Sequence, residues 1–269
     1  MIHAVGLLGA LLFTVALDTS PAEGEHPLAP LVRYAQDRVT SLDAEIRDYT
    51  CTLVKQERID GRLRKPDYIF VKLRHQRVEN GKVMTPFSVY LRYLAPRDLK
   101  DREVLYVEGR NEGKMIARRG GSRLAHVTTT LLPDSRLAMH WGRYPLTEIG
   151  IKTLTERLVE VGLEELAYGE CEVKYLEGAK INGRSCIVVQ VTHPVKRDYF
   201  RYHMARVFID RELMLPVHYV SYDWPEQEGG EPELMEQYTY VDLKLNPGLT
   251  DRDFDPRNKE YQFGKPVGE

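Results

Sequence analysis

Apolar residues from Leu28 onward fall at Leu31, Val32, Ala35, Val39, Leu42 and Ile46, with Arg33, Asp37, Arg38 and Glu45 between them. This three-and-four spacing predicts an amphipathic helix over 28–47 that lays one face on a larger body. The period then changes to two. "YTCTLVKQERIDGRLRKPDYIFVKLRH" reads as two strands joined at Asp60–Gly61, a dipeptide that accepts the positive φ angles of a tight hairpin. "PFSVYLRYL" adds a strand in which Phe87, Val89, Leu91 and Tyr93 alternate with Ser88, Tyr90 and Arg92. Two more flank "GRNEG" at 109–113, and another covers roughly Leu124 to Thr130.

A second helix is predicted over 147–162. Its stripe is Ile149, Ile151, Leu154 and Leu158, Thr147 serves as N-cap, and Gly162 marks the end. Strands resume over 170–245, with turns at Asn182–Gly183 and near Asp210–Glu212 and a last run "ELMEQYTYVDLKL". "PEQEGGEPE" at 225–233 reads as a solvated acidic loop, and 246–269 as an irregular tail.

About eleven strands and two main helices make a mainly β (α+β) fold. Consecutive, closely linked strands pair antiparallel, and a sheet this long cannot stay flat. The expected architecture is therefore a curved antiparallel half-barrel, in one domain over 23–269, with the helices covering or plugging it. Val104 and Tyr106 stand opposite Leu105 and Val107 along one strand, so both faces of the sheet must be covered.

The N-terminus differs from the rest. Ala4 to Leu17 is almost unbroken apolar sequence, ending in the small-residue exit Ser20–Pro21–Ala22, the pattern of a secretory signal peptide over 1–22. The apolar run is 14 residues, short of the ~20 that span a bilayer, so no stable membrane span is expected after cleavage. The mature protein is expected to be soluble in the periplasm or cell envelope.

Cleavage there removes Asp18 and no Lys or Arg, leaving 38 basic against 40 − 1 = 39 acidic residues. That balance offers no electrostatic footprint for nucleic acid. In an oxidising compartment Cys51, Cys171 and Cys186 are disulfide candidates, one pair and one leftover thiol, with the pairing open.

Signatures of chemistry are missing. "GRNEGKM" has three residues between its glycines and Met115 after Lys114, so it is a turn rather than a phosphate loop. Gly-x-Ser-x-Gly does not occur. His126, His140, His193, His203 and His218 lack the spacing that pre-forms a metal site, although His193 and His203 could approach across neighbouring strands. No catalytic residue, metal or cofactor is assigned.

"MHWGRYPLTEIG", residues 139–150, is the one dense mixture of aromatics and charge. Two readings stand. In one it is a helix start, with Trp141 filling core space and Arg143 paired to Glu148 or another acid. In the other it crosses the rim of a concave sheet, where Met139, Trp141, Arg143, Tyr144 and Glu148 meet a ligand and Arg143 holds a carboxylate or phosphate head.

The segments "YTCTLVKQERIDG", "REVLYVEGRNEGK", "RYPLTEIGI", "ECEVKYLEGAKINGRSC", "VTHPVKRDYFRYH" and "VFIDRELMLPVHYVSYDWP" resemble an exported bacterial family known as a domain of unknown function, number 1571, over about 28–263. The order of elements, with "VFIDRELMLPVHY" as a late hairpin and "LKLNPGLTDRDFDP" near the end, is similar to the LolA-type lipoprotein-carrier fold. That resemblance implies an incomplete barrel plugged by helices, whose concave apolar face holds acyl chains. The resulting expectation is a non-enzymatic binding protein for a lipid or lipoprotein acyl chain. The alternatives are an envelope interaction protein with a filled core and a protein partner, and, third, a hydrolase.

Overall fold

The computed structural model describes residues 22–121, 127–227 and 229–264. The segment expected to be a signal peptide, up to residue 21, and the Leu124–His126 part of one expected strand lie outside the described residues.

Helix α1 spans Ala29–Glu45. The first half of the sheet follows it as β1 (Asp48–Ile59), β2 (Arg62–Leu63), β3 (Asp67–Arg74), β4 (Arg77–Glu79), β5 (Lys82–Thr85), β6 (Ser88–Ala95), β7 (Glu103–Val107), β8 (Met115–Arg118) and β9 (Thr128–Leu131). Helices α2 (Arg136–Met139) and α3 (Ile151–Tyr168) intervene. The second half is β10 (Glu172–Ile181), β11 (Arg184–Thr192), β12 (Met204–Asp210), β13 (Pro216–Asp223) and β14 (Glu233–Leu245).

Twelve strands form one antiparallel sheet in the order β10-β11-β12-β13-β14-β1-β3-β6-β7-β8-β9, with β2 beside β1. Its two ends, β10 and β9, do not pair, so the sheet is an open half-barrel. Each half is a meander of neighbours, and the halves join where β1 pairs with β14, from Tyr49↔Leu245 to Glu57↔Glu236. The expected turns form as read: Asp60 and Gly61, and Asn182 and Gly183, all have positive φ. A separate hairpin, β4-β5, turns at Asn80–Gly81; it carries the same turn signal but stands outside the expected strands.

Both faces are covered. On the concave face α1 and α3 pack on two apolar clusters, one around Leu42, Leu53, Ile69 and Ile151, the other around Leu28, Val32, Val189 and Val207. On the convex face the C-terminal segment lays Phe254 and Tyr261 on Tyr90, Leu105 and Val107. Tyr261 stacks on Tyr90 at 3.9 Å. The tail expected to be irregular is thus the second cover that the two-sided strands require.

The second helix runs Ile151–Tyr168, four residues later at its start and six at its end than expected. Thr147 is not its N-cap; it lies in a short 3-10 turn, Leu146–Glu148. The buried helix start is instead satisfied by the Ile151 N–H donating to the Tyr49 hydroxyl at 3.1 Å. Gly150 precedes it with φ 127°, where a Cβ would stand 3.0 Å from both Leu73 and Tyr49. The helix ends on the left-handed Gly169. Gly162 is therefore not a stop but a point of close approach: a Cβ there would lie 2.6 Å from Val32 Cγ2 of α1.

The expected disulfide does not form; Cys51, Cys171 and Cys186 are free thiols. Cys51 on β1 and Cys186 on β11 are four strand positions apart, roughly 19 Å along the sheet at ~4.8 Å per strand, against the ~6 Å that a bridge spans. Cys186 pairs with Ala179 on β10, so Cys171 lies eight residues up that chain, roughly 26 Å away at ~3.3 Å per residue.

Replacing Gly162 by Leu drives a side chain into Val32 and forces the helices apart. It lowers stability by about 2 kcal/mol, as overpacking does, and urea unfolding will show the midpoint fall; an unchanged midpoint would mean the helices are not tightly packed there.

Candidate functional site

Between the helix pair and the concave sheet lies a cavity of about 860 Å³. Alternation along the strands builds its walls: Leu53 of β1, Ile69 of β3, Val104 of β7 and Val207 of β12 all point inward, and Ala35 of α1 and Leu158 of α3 face them. Leu137 and Trp141 line the cavity and yet are 60% and 38% exposed, which places the opening beside α2.

The sheet seam carries charge into this apolar wall. Leu53, Lys55 and Glu57 occupy one face of β1, and Glu236, Tyr238 and Tyr240 the same face of β14. The register sets Glu57 directly opposite Glu236, a like-charge pair that costs free energy unless bridged. Tyr238 bridges it, and two cations offset one carboxylate each. Tyr238 donates to Glu57 Oε1 at 2.6 Å and stands 3.3 Å from Glu236 Oε2. Lys55 Nζ lies 3.0 Å from Glu57 Oε2, and Arg143 Nε 2.9 Å from Glu236 Oε2.

Burial pushes the Glu236 carboxyl above its ordinary range and Glu57 adds to this, while Arg143 and Tyr144 oppose it. Around Lys55 burial disfavours the charge, but Glu57, Tyr93 and Asp67 outweigh it and hold the ammonium's pKa above the lysine range. Asp67, paired across the strands with Lys55, is pushed up to about 6, chiefly by burial.

The far end of the cavity has a second polar group. His193, fully buried in the connection just after β11, faces Glu165 Oε2 through Nε2 at 2.6 Å and the Tyr202 carbonyl through Nδ1 at 2.8 Å. Tyr202 donates to the other Glu165 oxygen at 3.0 Å. His193 and His203 do approach, through main-chain bonds rather than a shared ligand. Cys171 Sγ is 3.7 Å from His26 Nε2, but His26 Nδ1 accepts the Leu28 N–H, so Nε2 carries the proton and cannot activate the thiol. Burial also pushes that thiol up to about 11. Among the described residues no three His, Cys, Asp or Glu side chains form a metal-holding group.

The run 139–150 lies at the opening. Trp141, Arg143, Tyr144 and Glu148 line the cavity; Met139, at the end of α2, does not. Arg143 pairs with Glu236 rather than Glu148, and Glu148 pairs with Arg157 at 2.7 Å. Tyr144 donates to Glu236 Oε1 at 3.1 Å, under the Arg157 guanidinium at 4.4 Å from its ring. The segment is both a helix approach and a piece of cavity wall.

The sequence reading misses Lys55, Glu57, Glu236 and Tyr238. A signal for the first two is present, since "TLVKQE" puts Lys55 and Glu57 in the same alternation as Leu53. Their meeting with Glu236 needs the β1–β14 pairing.

An open antiparallel half-barrel roofed by helices over an apolar cavity defines the class of this protein. The chain belongs to the family of proteins of unknown function DUF1571, whose profile matches residues 46–263. No curated protein matches it. Solved structures similar to it include a DUF1329 family protein from Desulfovibrio piger, 14% identical, covering 85% of this chain and 97% of that one at a TM-score of 0.40. A putative outer membrane lipoprotein-sorting protein domain from Vibrio parahaemolyticus is 13% identical, with 83% and 95% covered and a TM-score of 0.37. The LolA superfamily protein NE2245 from Nitrosomonas europaea is 11% identical, with 82% and 97% covered and a TM-score of 0.32. Each likeness is distant.

Asp67 yields a signed pH test. A carboxyl whose folded pKa is raised from 3.8 to about 6 stabilises the protein below its unfolded pKa and loses that contribution as pH rises through about 6. Asp67→Asn will therefore match the native protein near pH 4 and exceed it by about 1–2 kcal/mol at pH 8. Urea titrations at the two pH values check this, and equal differences at both would refute the raised pKa.

Proposed function

We propose that this protein is an exported, non-enzymatic carrier that shelters an apolar chain, such as a lipid or lipoprotein acyl chain, in the cavity between α1, α3 and the concave sheet. The observation that carries the reading is the cavity itself. Its 860 Å³ falls within the 300–1,000 Å³ of small-molecule sites, and its walls are mainly apolar. Burying ten methylenes there yields about 8 kcal/mol before the cost of immobilising the chain, enough for binding without special chemistry.

Export is supported by the N-terminal apolar run and its small-residue exit. No helix of the described residues is long and apolar enough to cross a membrane. The alternative, an envelope interaction protein with a packed core, expects bulky side chains across the concavity; the open space favours the carrier. A hydrolase needs an activated nucleophile, and the protonation pattern of His26 and Cys171 argues against one there.

Native mass spectrometry of protein purified from its own envelope will show bound lipid mass, and the stripped protein will take up a fluorescent fatty acid. A clean unliganded mass with no uptake would overturn the carrier reading. Ala35→Phe, which projects a ring from α1 into the cavity, will weaken uptake about tenfold or more; unaltered uptake would place the ligand elsewhere.

A further inference from the structure

The cavity wall holds two cations that form no ion pair among the described residues. Arg102 and Arg119 both line it. The ladder between β7 and β8 ends at Glu103↔Arg118, and one step further along the same register sets Arg102 opposite Arg119. Their faces agree, because Arg102 precedes inward Val104 by two residues and Arg119 follows inward Ala117 by two. The following backbone is held tightly in place: a Cβ at Gly120 would lie 2.3 Å from the Leu99 carbonyl oxygen and 2.4 Å from the Arg102 nitrogen.

Every other Lys or Arg on the cavity wall is ion-paired with a carboxylate, from Lys55 with Glu57 to Arg201 with Glu164. Among the described residues Arg102 and Arg119 have no such partner, and the adjoining segment 122–126 contains no acidic residue. The acidic influence on this corner is Asp67, whose charge feels Arg102 without forming an ion pair with it. Aromatic rings complete the pocket: the Arg102 guanidinium lies 4.7 Å from the Trp141 ring and 5.6 Å from that of Tyr93. Arg102 is half-buried and Arg119 exposed; like charges directly opposite across strands are destabilising, and a guanidinium pair at the opening is a receptor for an oxyanion.

We propose that the cavity's ligand carries an anionic head, a carboxylate or phosphate monoester, held between Arg102 and Arg119 at the opening while its apolar chain runs inward beneath α1 and α3. This rests on the carrier reading and adds the polarity of the ligand and its direction in the cavity. Trp141 takes a part in it that neither its core-filling nor its ligand-contact reading assigns: it stacks on the cation that holds the head. Arg143, the cation expected from sequence to hold such a head, is already occupied by Glu236.

The test compares three ligands with one chain. Dodecanoate, dodecyl phosphate and dodecan-1-ol compete with the neutral dye N-phenyl-1-naphthylamine for the full mature protein. Both anions are expected to displace the dye at concentrations about tenfold or more below the alcohol, an advantage that shrinks between about 50 and 500 mM salt. In the double variant Arg102→Gln with Arg119→Gln the anion-to-alcohol ratio falls to within about twofold, whereas Arg211→Gln, outside the cavity, keeps the native ratio. The salt series on the native protein reads the same interaction if the double variant fails to fold. Equal displacement by acid and alcohol would overturn the anionic head and leave the carrier reading standing; failure of the dye and all three ligands to bind would remove both. Inorganic phosphate binding as tightly in calorimetry as dodecyl phosphate would assign the corner to a free ion and also overturn the proposal.

Discussion

The pairing of β1 with β14 is the constraint on which the rest of the molecule depends. It joins residues some two hundred apart in the chain, Tyr49 with Leu245, and converts two meanders into one curved sheet. Closing so long a loop costs conformational entropy that the hydrogen bonds of the seam must offset together with the apolar clusters packed against it. Because α1 leads directly into β1, the seam also carries the helix over the concave face, where α3 meets it at Gly162. The cavity exists because a twisted sheet curves away from two helices that already touch each other and cannot follow it down.

Electrostatics at the seam follow from the same register. Setting Glu57 against Glu236 would be unfavourable in an apolar wall, and the sheet compensates with Lys55, Tyr238 and an arginine from outside, Arg143. A buried ionic group contributes little net stability, since desolvation consumes most of the Coulombic gain. What it does here is fix position: it ties the segment between α2 and α3 to the sheet and so defines one side of the opening. The Glu165, His193 and Tyr202 group does the same at the other end, anchoring α3 to the second half of the sheet. Between these polar anchors the wall is mainly apolar.

Much of the fold was legible because strand and helix periods are local. The alternation of Val89, Leu91 and Tyr93, and the turn dipeptides at Asp60–Gly61 and Asn182–Gly183, identify elements that the structure contains. Errors arose where a residue serves a distant partner. Gly162 looks like a helix stop, yet it is small because Val32 of another helix approaches it. Thr147 has the chemistry of an N-cap, yet the helix start is buried against Tyr49 and takes its hydroxyl instead. Three cysteines behind an apolar N-terminal run suggest a bridge, yet strand order holds them too far apart for one.

The site divides in the same way. The sequence by itself determined that this is a long antiparallel sheet with two-faced strands, a helix before it and another within it, and a dense aromatic and charged run ahead of the second helix. These properties depend on neighbours a few residues apart. Only the tertiary structure decided that Arg143 is paired with Glu236, that Arg102 and Arg119 line the cavity without an ion pair among the described residues, and that the space beneath the helices is open. Those depend on strand register and on the separation of packed surfaces, which are set by contacts between residues far apart in the chain, so no local pattern encodes them.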